Sequence, residues 1–498
     1  MNNKKNAISS IALQIATIVQ GLILPRLILS AFGSEVNGLI SSITQFLSFI
    51  SLLEGGLGAV VLAELYMPIE QKDETQIRSV LVACQKFFNK LAIIFIAYTV
   101  ILSFVYPIFI VKSFSFAYTS SMVVILSLTT LTQYLFSITY KLYLQADQKL
   151  YVVNIVSTVT ILLNTVVAAI IIFFIPDVHV VKLASGIIYL IQPIALKHFA
   201  KKSDLLKQFK GRIKNDGRHE AVLANRWSGF SQNLAHFINM NTDAALLTFF
   251  FTLGSVSVYT VYMLAINALR GIITSVGNSY QSALGKYIAE GDTGKLKYNF
   301  EKFENVFWFG GTVCFGTCML LINGFVSIYT NGIEDTNYYQ PVFAAVIVLA
   351  NMIYVIREPY RLLVLAAGKF RETNFGAIDE AVLNLVISFL LIQKYDLTGI
   401  AIGTLIATAF RLIYFIWYLR KDILYKRFTS YYPNLISSIL TIFVDGIVYK
   451  FYSVQIDGFG AFCVFGIVFV CFNVLLYLGL HYLMTKLSAL LSLAKHKM

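Results

Sequence analysis

The sequence predicts an all-α fold: a polytopic transmembrane bundle of about fourteen helices. Of the 498 residues, 57% are hydrophobic and only 13% are charged, whereas a typical soluble domain carries about 25% charged residues. Apolar stretches such as 11–32 and 91–111 are nearly free of charge, and each has the roughly 20 residues that span the hydrocarbon core as a helix. The stretches are continuous rather than alternating, which favours helices over membrane strands.

Short polar loops separate these stretches. The predicted spans are 8–32, 36–65, 80–111, 118–144, 150–175, 179–199, 222–252, 256–285, 298–330, 340–367, 371–393, 397–419, 431–452 and 459–485. No cleavable signal peptide is expected at the start, because the first apolar run reaches Pro25 and Arg26 without a small-residue cleavage site.

The positive charges are distributed unevenly between the loops. The net charge is +13, which alone would be compatible with nucleic-acid binding. The loops of one parity carry most of the cations, and one loop contains Lys201, Lys202, Lys207, Lys210, Arg212, Lys214 and Arg218. The opposite loops hold only Lys112, Lys182, Lys394 and Lys450. This asymmetry predicts that both termini and the basic loop are cytoplasmic, beside anionic lipid, and that no nucleic acid is bound.

An internal repeat at an offset of 221 residues relates the two halves of the chain. Residues 31–34 precede the second span and 252–255 precede the eighth, and each glycine is followed 33 residues later by a tyrosine, Tyr66 or Tyr287. A further match joins the ends of the fourth and tenth spans, at residues 144–149 and 365–369.

The offset contains six spans, so the two copies keep one orientation in the membrane. This predicts parallel lobes, between which transporters of this kind hold their substrate path. The predicted organisation is a six-helix lobe at 1–199, a basic cytoplasmic linker at 200–221, a second six-helix lobe at 222–420, and two added helices with a tail at 421–498.

Ionisable side chains at membrane depth are costly, so each of them is a functional candidate. The arginines are Arg26, Arg270, Arg357, Arg361 and Arg411; the acids are Glu54, Asp243, Asp379, Glu380 and Asp445. Pro359 should kink the helix between Arg357 and Arg361, which share one face. Because arginine donates two parallel hydrogen bonds to phosphate, unpaired arginines are predicted to line an anion path. Glu54, Asp243 and Asp379 are the candidates for ion coupling or gating.

The same charges have a structural alternative. Arg26 could pair with Glu54, Arg270 with Asp243, and Arg361 with Glu358. One of the remaining acids, Asp379, Glu380 or Asp445, could carry a coupling proton, and polar contacts between helices are the alternative for all three.

Signals for catalysis or cofactors are missing from the sequence. The segment 291–296 resembles a phosphate loop slightly, but position 289 is alanine and no Ser or Thr closes it. Neither the six histidines nor the five cysteines show the spacing of a metal site or a catalytic triad. No catalytic residue, metal or cofactor is therefore predicted, and direct use of ATP is not expected.

Short motifs spread over nearly the whole chain carry a family resemblance. They are Pro25-Arg26, Gly33 with Gly38, Glu54–Gly58, Leu144–Val153, Asn241–Asp243, Ala289–Asp292 and Ala366–Thr373. These motifs resemble those of the polysaccharide flippases (Wzx-like transporters), which belong to the superfamily of multidrug, oligosaccharidyl-lipid and polysaccharide exporters.

The resemblance implies a plasma-membrane transporter with a central cationic cavity. Such proteins move an undecaprenyl-diphosphate-linked oligosaccharide to the outer leaflet for assembly of capsule or another surface polysaccharide. The diphosphate would bind Arg26, Arg270 and Arg357 above all. The expected partners are this lipid-linked substrate, bilayer lipids, and a polysaccharide polymerase or other assembly proteins.

Other functions are compatible with parts of the sequence. A flippase for the peptidoglycan precursor lipid is hardly distinguishable. A cation-coupled multidrug exporter of the same superfamily would have twelve spans and an acidic cavity. A polysaccharide polymerase or ligase would need a large external loop, which the sequence lacks, and a membrane scaffold would not explain arginines at depth.

Overall fold

The protein is an all-helical bundle in the computed structural model, which describes residues 2–54, 57–110, 113–202, 230–369, 372–425, 428–451, 456 and 458–496. Within these ranges no β-strand is present, and the predicted all-α class is confirmed. The helices of the first half are α1 (Asn2–Ser48), α2 (Leu57–Glu70), α3 (Glu74–Val105), α4 (Phe116–Thr132), α5 (Ile138–Ala146), α6 (Leu150–Phe174), α7 (Val178–Tyr189) and α8 (Ile191–Lys202).

The second half contains the longer helices. They are α9 (Phe230–Phe250), α10 (Leu253–Ala289), α11 (Thr293–Tyr329), α12 (Pro341–Ile356), α13 (Glu358–Ala366), α14 (Asn374–Leu419), α15 (Tyr432–Phe451) and α16 (Phe459–His496). Short 3-10 segments lie at Phe49–Glu54 and Phe428–Tyr431, and π-helical turns lie at Tyr106–Ile110, Gln133–Ser137 and Arg420–Leu424.

Eleven helical segments in the described ranges are long and apolar enough to cross a membrane. Two of them, Lys4–Glu54 and Asn374–Leu424, contain 51 residues each, or about 75 Å of helix, more than twice the roughly 30 Å of hydrocarbon. Each is interrupted by a non-helical residue, Gly33 or Asp396. Each therefore has the length for two crossings, so the eleven segments allow thirteen. Helix α9, which falls in the seventh predicted span and has 21 residues, is not among the eleven segments.

The turn at Gly33 lies between the first two predicted spans. Its φ of 81° is in the left-handed region, where glycine carries no steric penalty. Just beyond it, a Cβ on Gly38 would lie 1.9 Å from the carbonyl oxygen of Leu253, so only glycine allows this approach. The neighbouring Asn37 Nδ2 donates to Ser257 Oγ at 2.8 Å. The start of α10 thus packs directly on the second half of α1.

The turn at Asp396 folds α14 into an antiparallel pair of half-helices. Glycines line the contact: a Cβ on Gly399 would lie 2.5 Å from Leu391 O, and one on Gly403 would lie 2.1 Å from Ser388 Oγ. Small residues let transmembrane backbones approach closely. This contact fixes the register between the two halves of α14, each of which carries residues of the candidate site.

The C-terminal ends of α5 and α13 close with the same turn, at an offset of 220 residues rather than the 221 read from the sequence. Lys149 N donates to Leu144 O at 2.8 Å, and Lys369 N donates to Val364 O at 3.1 Å. Gln148 and Gly368 at these turns have φ of 53° and 67°.

The chain divides into two compact units. The first contains Met1–Phe237 and Ala244–Ser257, and the second contains Ile238–Asp243 and Val258–Met498. The predicted lobe boundary at 200–221 falls mostly outside the described residues. The first unit has a core with fully buried aromatic side chains, among them Phe88, Phe95 and Tyr106. In the second unit, the added helices α15 and α16 pack against α11 and against each other.

Candidate functional site

The tenth predicted span is broken at Arg357. Helix α12 ends at Ile356 and α13 begins at Glu358, with Pro359 in its first turn. Proline has no backbone N–H to continue the hydrogen bonds of α12, so a break at this point follows from the sequence. The predicted kink is present, and Arg357 and Glu358 at the break are 5% and 2% exposed.

Tyr354 brings two of the predicted arginines together. The guanidinium carbon of Arg270 lies 3.8 Å from the centre of the Tyr354 ring, and that of Arg357 lies 4.3 Å from it, both within cation–π range. The Nη1 of Arg270 also donates to Asn351 Oδ1 at 3.0 Å. Helices α10 and α12 thereby hold two positive charges around one aromatic side chain.

Glu380 connects Arg357 with a third arginine. Arg357 Nη1 forms an ion pair with Glu380 Oε1, and Arg411 Nε lies 3.6 Å from Glu380 Oε2. The expectation that Arg357 is unpaired is therefore wrong, because the first half of α14 brings a carboxylate to it. All three side chains are at least nine-tenths buried.

Arg411 is fixed by α14 and the loop before it. Its Nη1 donates to Thr373 O at 3.1 Å, and its guanidinium carbon lies 4.2 Å from the centre of the Phe415 ring. A Cβ on Gly376 would lie 2.5 Å from Arg411 Nη1. The glycine therefore provides the space in which this guanidinium lies.

Arg361 completes the group that we call the arginine cluster: Arg270, Arg357, Arg361 and Arg411. Its Nε and Nη2 donate to the two carboxylate oxygens of Glu358 at 2.8 and 2.5 Å, a bidentate geometry. The Arg361 side chain is 36% exposed, against 3% for Glu358. Arg361 is therefore the member of the cluster most accessible to a ligand.

Asp243 and the polar side chains around it form a second buried group, which we call the Asp243 pocket; its Tyr259 interacts electrostatically with Arg270 of the arginine cluster. Asp243 Oδ2 accepts hydrogen bonds from Tyr259 Oη at 3.1 Å and Thr404 Oγ1 at 3.0 Å. Asn384 Nδ2 donates to the same Thr404 hydroxyl at 3.0 Å. Asp243 Oδ1 and Asn384 Oδ1 are buried oxygens without a hydrogen-bond partner among the described residues. One carboxylate with amide and hydroxyl oxygens suits a proton or a small monovalent cation better than a divalent metal.

Glu54 and Asp379 occupy different surroundings. Tyr134, in the π-helical turn of the fourth span, donates to Glu54 Oε1 at 2.6 Å. Asp379 is exposed on α14, although the next residue, Glu380, is buried. In the described part of the chain neither Glu54 nor Asp243 forms an ion pair with an arginine, so the predicted alternatives Arg26–Glu54 and Arg270–Asp243 are not formed.

The structure distributes the predicted site residues over both units. The arginine cluster, the Asp243 pocket and Asp379 belong to the second unit, and Arg26, which is partly buried, and Glu54 belong to the first. Tyr354, Asn384 and Thr404 were not predicted, because a tyrosine, an amide and a hydroxyl in apolar helices give no distinct sequence signal. Within the described ranges no group of three or more His, Cys, Asp or Glu could hold a metal.

Comparison with known proteins gives matches among solved structures alone. No family model and no curated protein matches the sequence. The lipid II flippase MurJ in an inward closed conformation matches with a TM-score of 0.69 and 13% identity, over 95% of this chain and 98% of that chain. The MATE multidrug transporter DinF-BH matches at 0.63 with 14% identity, over 85% and 97%. The eukaryotic MATE transporter AtDTX14 matches at 0.59 with 12% identity, over 84% and 96%.

These similarities define the fold. The chain is a multi-pass membrane protein with the fold shared by MurJ and the MATE transporters of the MOP superfamily. All three neighbours are transporters rather than enzymes.

Proposed function

We propose that this protein flips undecaprenyl-diphosphate-linked oligosaccharide units across the plasma membrane by alternating access, for assembly of capsular or other surface polysaccharide. The observation that carries the proposal is the arginine cluster: four arginines, with Glu358 and Glu380 as ion-pair partners and Asp379 in weaker electrostatic contact with Arg411. An excess of guanidinium groups favours an anionic substrate over a cationic one.

The chemistry of the cluster fits a diphosphate. A guanidinium group presents a planar fork that matches two phosphate oxygens and stays charged at any physiological pH. Arg361 and Arg270 are proposed to meet the diphosphate first, because they are more exposed than Arg357 and Arg411. Arg26 of the first unit is proposed as a further substrate-binding residue. The oligosaccharide would then occupy the aqueous path while the lipid tail stays in the bilayer.

The Asp243 pocket is proposed as the coupling site. A carboxylate that is 1% exposed and has an oxygen without a hydrogen-bond partner in the described structure is stabilised by binding a proton or cation. Binding there would draw α9 and both halves of α14 together through Asp243, Asn384 and Thr404. Glu54 and Asp379 are proposed to act in gating. The driving force is then an ion gradient or the membrane potential rather than ATP.

Two related functions compete with this proposal. MurJ is named as a lipid II flippase, so a peptidoglycan-precursor lipid is the nearest alternative substrate. The MATE structures match 84–90% of this chain, against 95% for MurJ, and a twelve-span exporter would have no counterpart of α15 and α16. This difference, with the arginine cluster, favours a lipid flippase over a multidrug exporter.

The proposal is tested with purified full-length protein in liposomes that carry a lipid-linked oligosaccharide. An impermeant glycosidase then measures how much of the sugar reaches the outer leaflet. We expect flipping by the wild type, a loss of tenfold or more in Arg270→Ala, and wild-type rates in the control Lys394→Ala, whose charge lies outside the cluster. Parallel arms contain lipid II or a cationic drug. Transport of either of those, without transport of the oligosaccharide lipid, would replace the proposal by the matching alternative.

The cellular setting is proposed from the same reasoning. Both termini would be cytoplasmic, and the protein would work beside a polysaccharide polymerase and other assembly proteins in the plasma membrane. Deleting the gene should make lipid-linked repeat units accumulate on the cytoplasmic face.

A further inference from the structure

Helices α11, α15 and α16 pack together around the carboxyl group of Asp445. This residue belongs to α15, one of the two added helices, and does not form part of the arginine cluster. Asp445 of α15 and Asn473 of α16 are both fully buried, with 0% exposure. Neither oxygen of the Asp445 carboxyl, nor Oδ1 of Asn473, has a hydrogen-bond partner among the described residues.

The two residues face the same point of α11. A Cβ on Gly316 would lie 2.4 Å from Asp445 Oδ2 and 3.1 Å from Asn473 Oδ1. Both oxygens therefore lie beside the bare α-carbon of the glycine, and the Asp445 and Asn473 side chains interact with each other. Two acceptor oxygens that face each other repel unless a proton or a cation lies between them.

The orientation of the Asn473 amide follows from its other contacts. Its Nδ2 donates to Phe469 O at 3.2 Å and lies 3.4 Å from Thr317 Oγ1. Turning the amide over would put Oδ1 against the Phe469 carbonyl, which cannot donate a hydrogen bond. Asn473 Oδ1 is therefore the atom of this amide that is left without a partner among the described residues and can accept a hydrogen bond from Asp445.

No charged side chain on the described parts of the surrounding helices is positioned to neutralise Asp445. On α11 the nearest charged residue is Glu304, twelve residues before Gly316, or about 18 Å along the helix. On α16 the nearest are His481 and Lys486, eight and thirteen residues beyond Asn473. On α15 it is Lys450, which is exposed. The 3-10 turn before α15, Phe428–Tyr431, contains no charged residue.

Other polar contacts between these helices are satisfied. Thr312 and Ser438 hydroxyls lie 2.7 Å apart, and Asn434 Nδ2 donates to Asn305 Oδ1 at 2.6 Å. In these neighbouring contacts each polar group has a hydrogen-bond partner, whereas the oxygens of Asp445 and Asn473 have none among the described residues. An ionised carboxylate left in this position would cost several kcal/mol or more.

We infer that Asp445 is a proton-binding site, in which the protonated carboxyl donates its hydrogen bond to Asn473 Oδ1 and so joins α15 to α16 across Gly316. A proton suits the geometry better than a metal cation, because three oxygens packed against a helix backbone are fewer than the six or more ligands that a hard cation requires.

Infrared difference spectroscopy of the purified full-length protein at pH 7 tests this inference. We expect the wild type minus Asp445→Asn spectrum to show one lost protonated-carboxyl C=O band, which shifts in D2O. The control Glu334→Gln removes an exposed carboxylate and should remove an ionised-carboxylate band instead. Loss of an ionised-carboxylate band in Asp445→Asn would overturn the inference.

A second variant covers the case in which Asp445→Asn does not fold. Asn473→Ala removes the acceptor and keeps the acid, so the protonated-carboxyl band should remain and move to higher frequency as its hydrogen bond is lost. An unchanged band in Asn473→Ala would show that the acid does not donate to Asn473, which contradicts the proposed site. These readouts do not depend on transport, so they stand apart from the proposed flippase activity.

Discussion

Substitutions in the ion pair of Arg361 with Glu358 can separate its effect on stability from its effect on transport. Arg361→Gln removes the cation and leaves the Glu358 carboxylate, which is 3% exposed, without its bidentate partner. The double variant Arg361→Gln/Glu358→Gln replaces both charges by neutral amides of similar shape. We expect the single variant to lose both stability and transport, and the double variant to lose transport alone.

The magnitude follows from how deeply the pair is buried. Exposed ion pairs contribute about 0.2–1 kcal/mol, whereas removing one partner of a fully buried pair costs about 3–5 kcal/mol. Glu358 is buried but the Arg361 side chain is 36% exposed, so water reaches one side of the contact. We therefore expect the single variant to lose about 2 kcal/mol and the double variant to stay within about 1 kcal/mol of the wild type.

Two assays on the same preparations separate these effects. Thermal unfolding in detergent ranks the stability of the wild type, Arg361→Gln, Glu358→Gln and the double variant, which together form a double-mutant cycle. Flipping of the lipid-linked oligosaccharide in liposomes then measures transport. Arg361→Lys is the matched control, since it keeps the charge but loses the planar fork, and it should retain part of the activity.

The result that refutes this reasoning is a stable double variant that transports at the wild-type rate. Arg361 would then serve only to neutralise Glu358, and the accessible edge of the arginine cluster would not bind substrate. A double variant as unstable as Arg361→Gln would contradict the expected ion-pair energy instead.

Three further predictions concern topology, energy source and packing. A reporter fused after Lys421 should be cytoplasmic and one inserted at 331–338 should be external; the reverse at either position would overturn the lobe orientation. Purified protein in liposomes should flip substrate under an ion gradient with no nucleotide present, and a strict need for ATP would exclude the proposed coupling. Gly403→Ala should destabilise the protein by about 1–3 kcal/mol through overpacking, because its Cβ would lie 2.1 Å from Ser388 Oγ. The control Gly310→Ala, with no atom within 4 Å of its Cβ, should be neutral or slightly stabilising, and equal melting temperatures for both variants would contradict the close approach.

Features that depend on local chemistry could be predicted from the sequence. The turns at Gly33 and Asp396 fall within the predicted gaps after residues 32 and 393. The break at Arg357 follows from Pro359, since a missing N–H acts on its own helix. Apolar length predicted the membrane spans for the same reason, because each helix must satisfy its own backbone in lipid.

Contacts between distant helices could not be predicted in this way. Asp243 and Thr404 are separated by 161 residues, and a hydropathy pattern does not fix the rotation of either helix. Glu380 was recognised as an intramembrane acid, but its contacts with Arg357 and Arg411 depend on how the two halves of α14 pack against α12. The sequence therefore identified the costly charges and left their partners open.

The ion pair of Arg357 with Glu380 does not by itself explain why these charges are present. Replacing a buried ion pair by apolar side chains of similar volume is often neutral or stabilising, so a purely structural contact would be served at least as well by leucine or methionine. Glu380 contacts both Arg357 and Arg411, and Asp379 also acts electrostatically on Arg411. Arg270 and Arg361 lie outside this contact, and we propose that a bound anion approaches these two arginines. In this proposal Glu380 holds Arg357 and Arg411 in position between transport events.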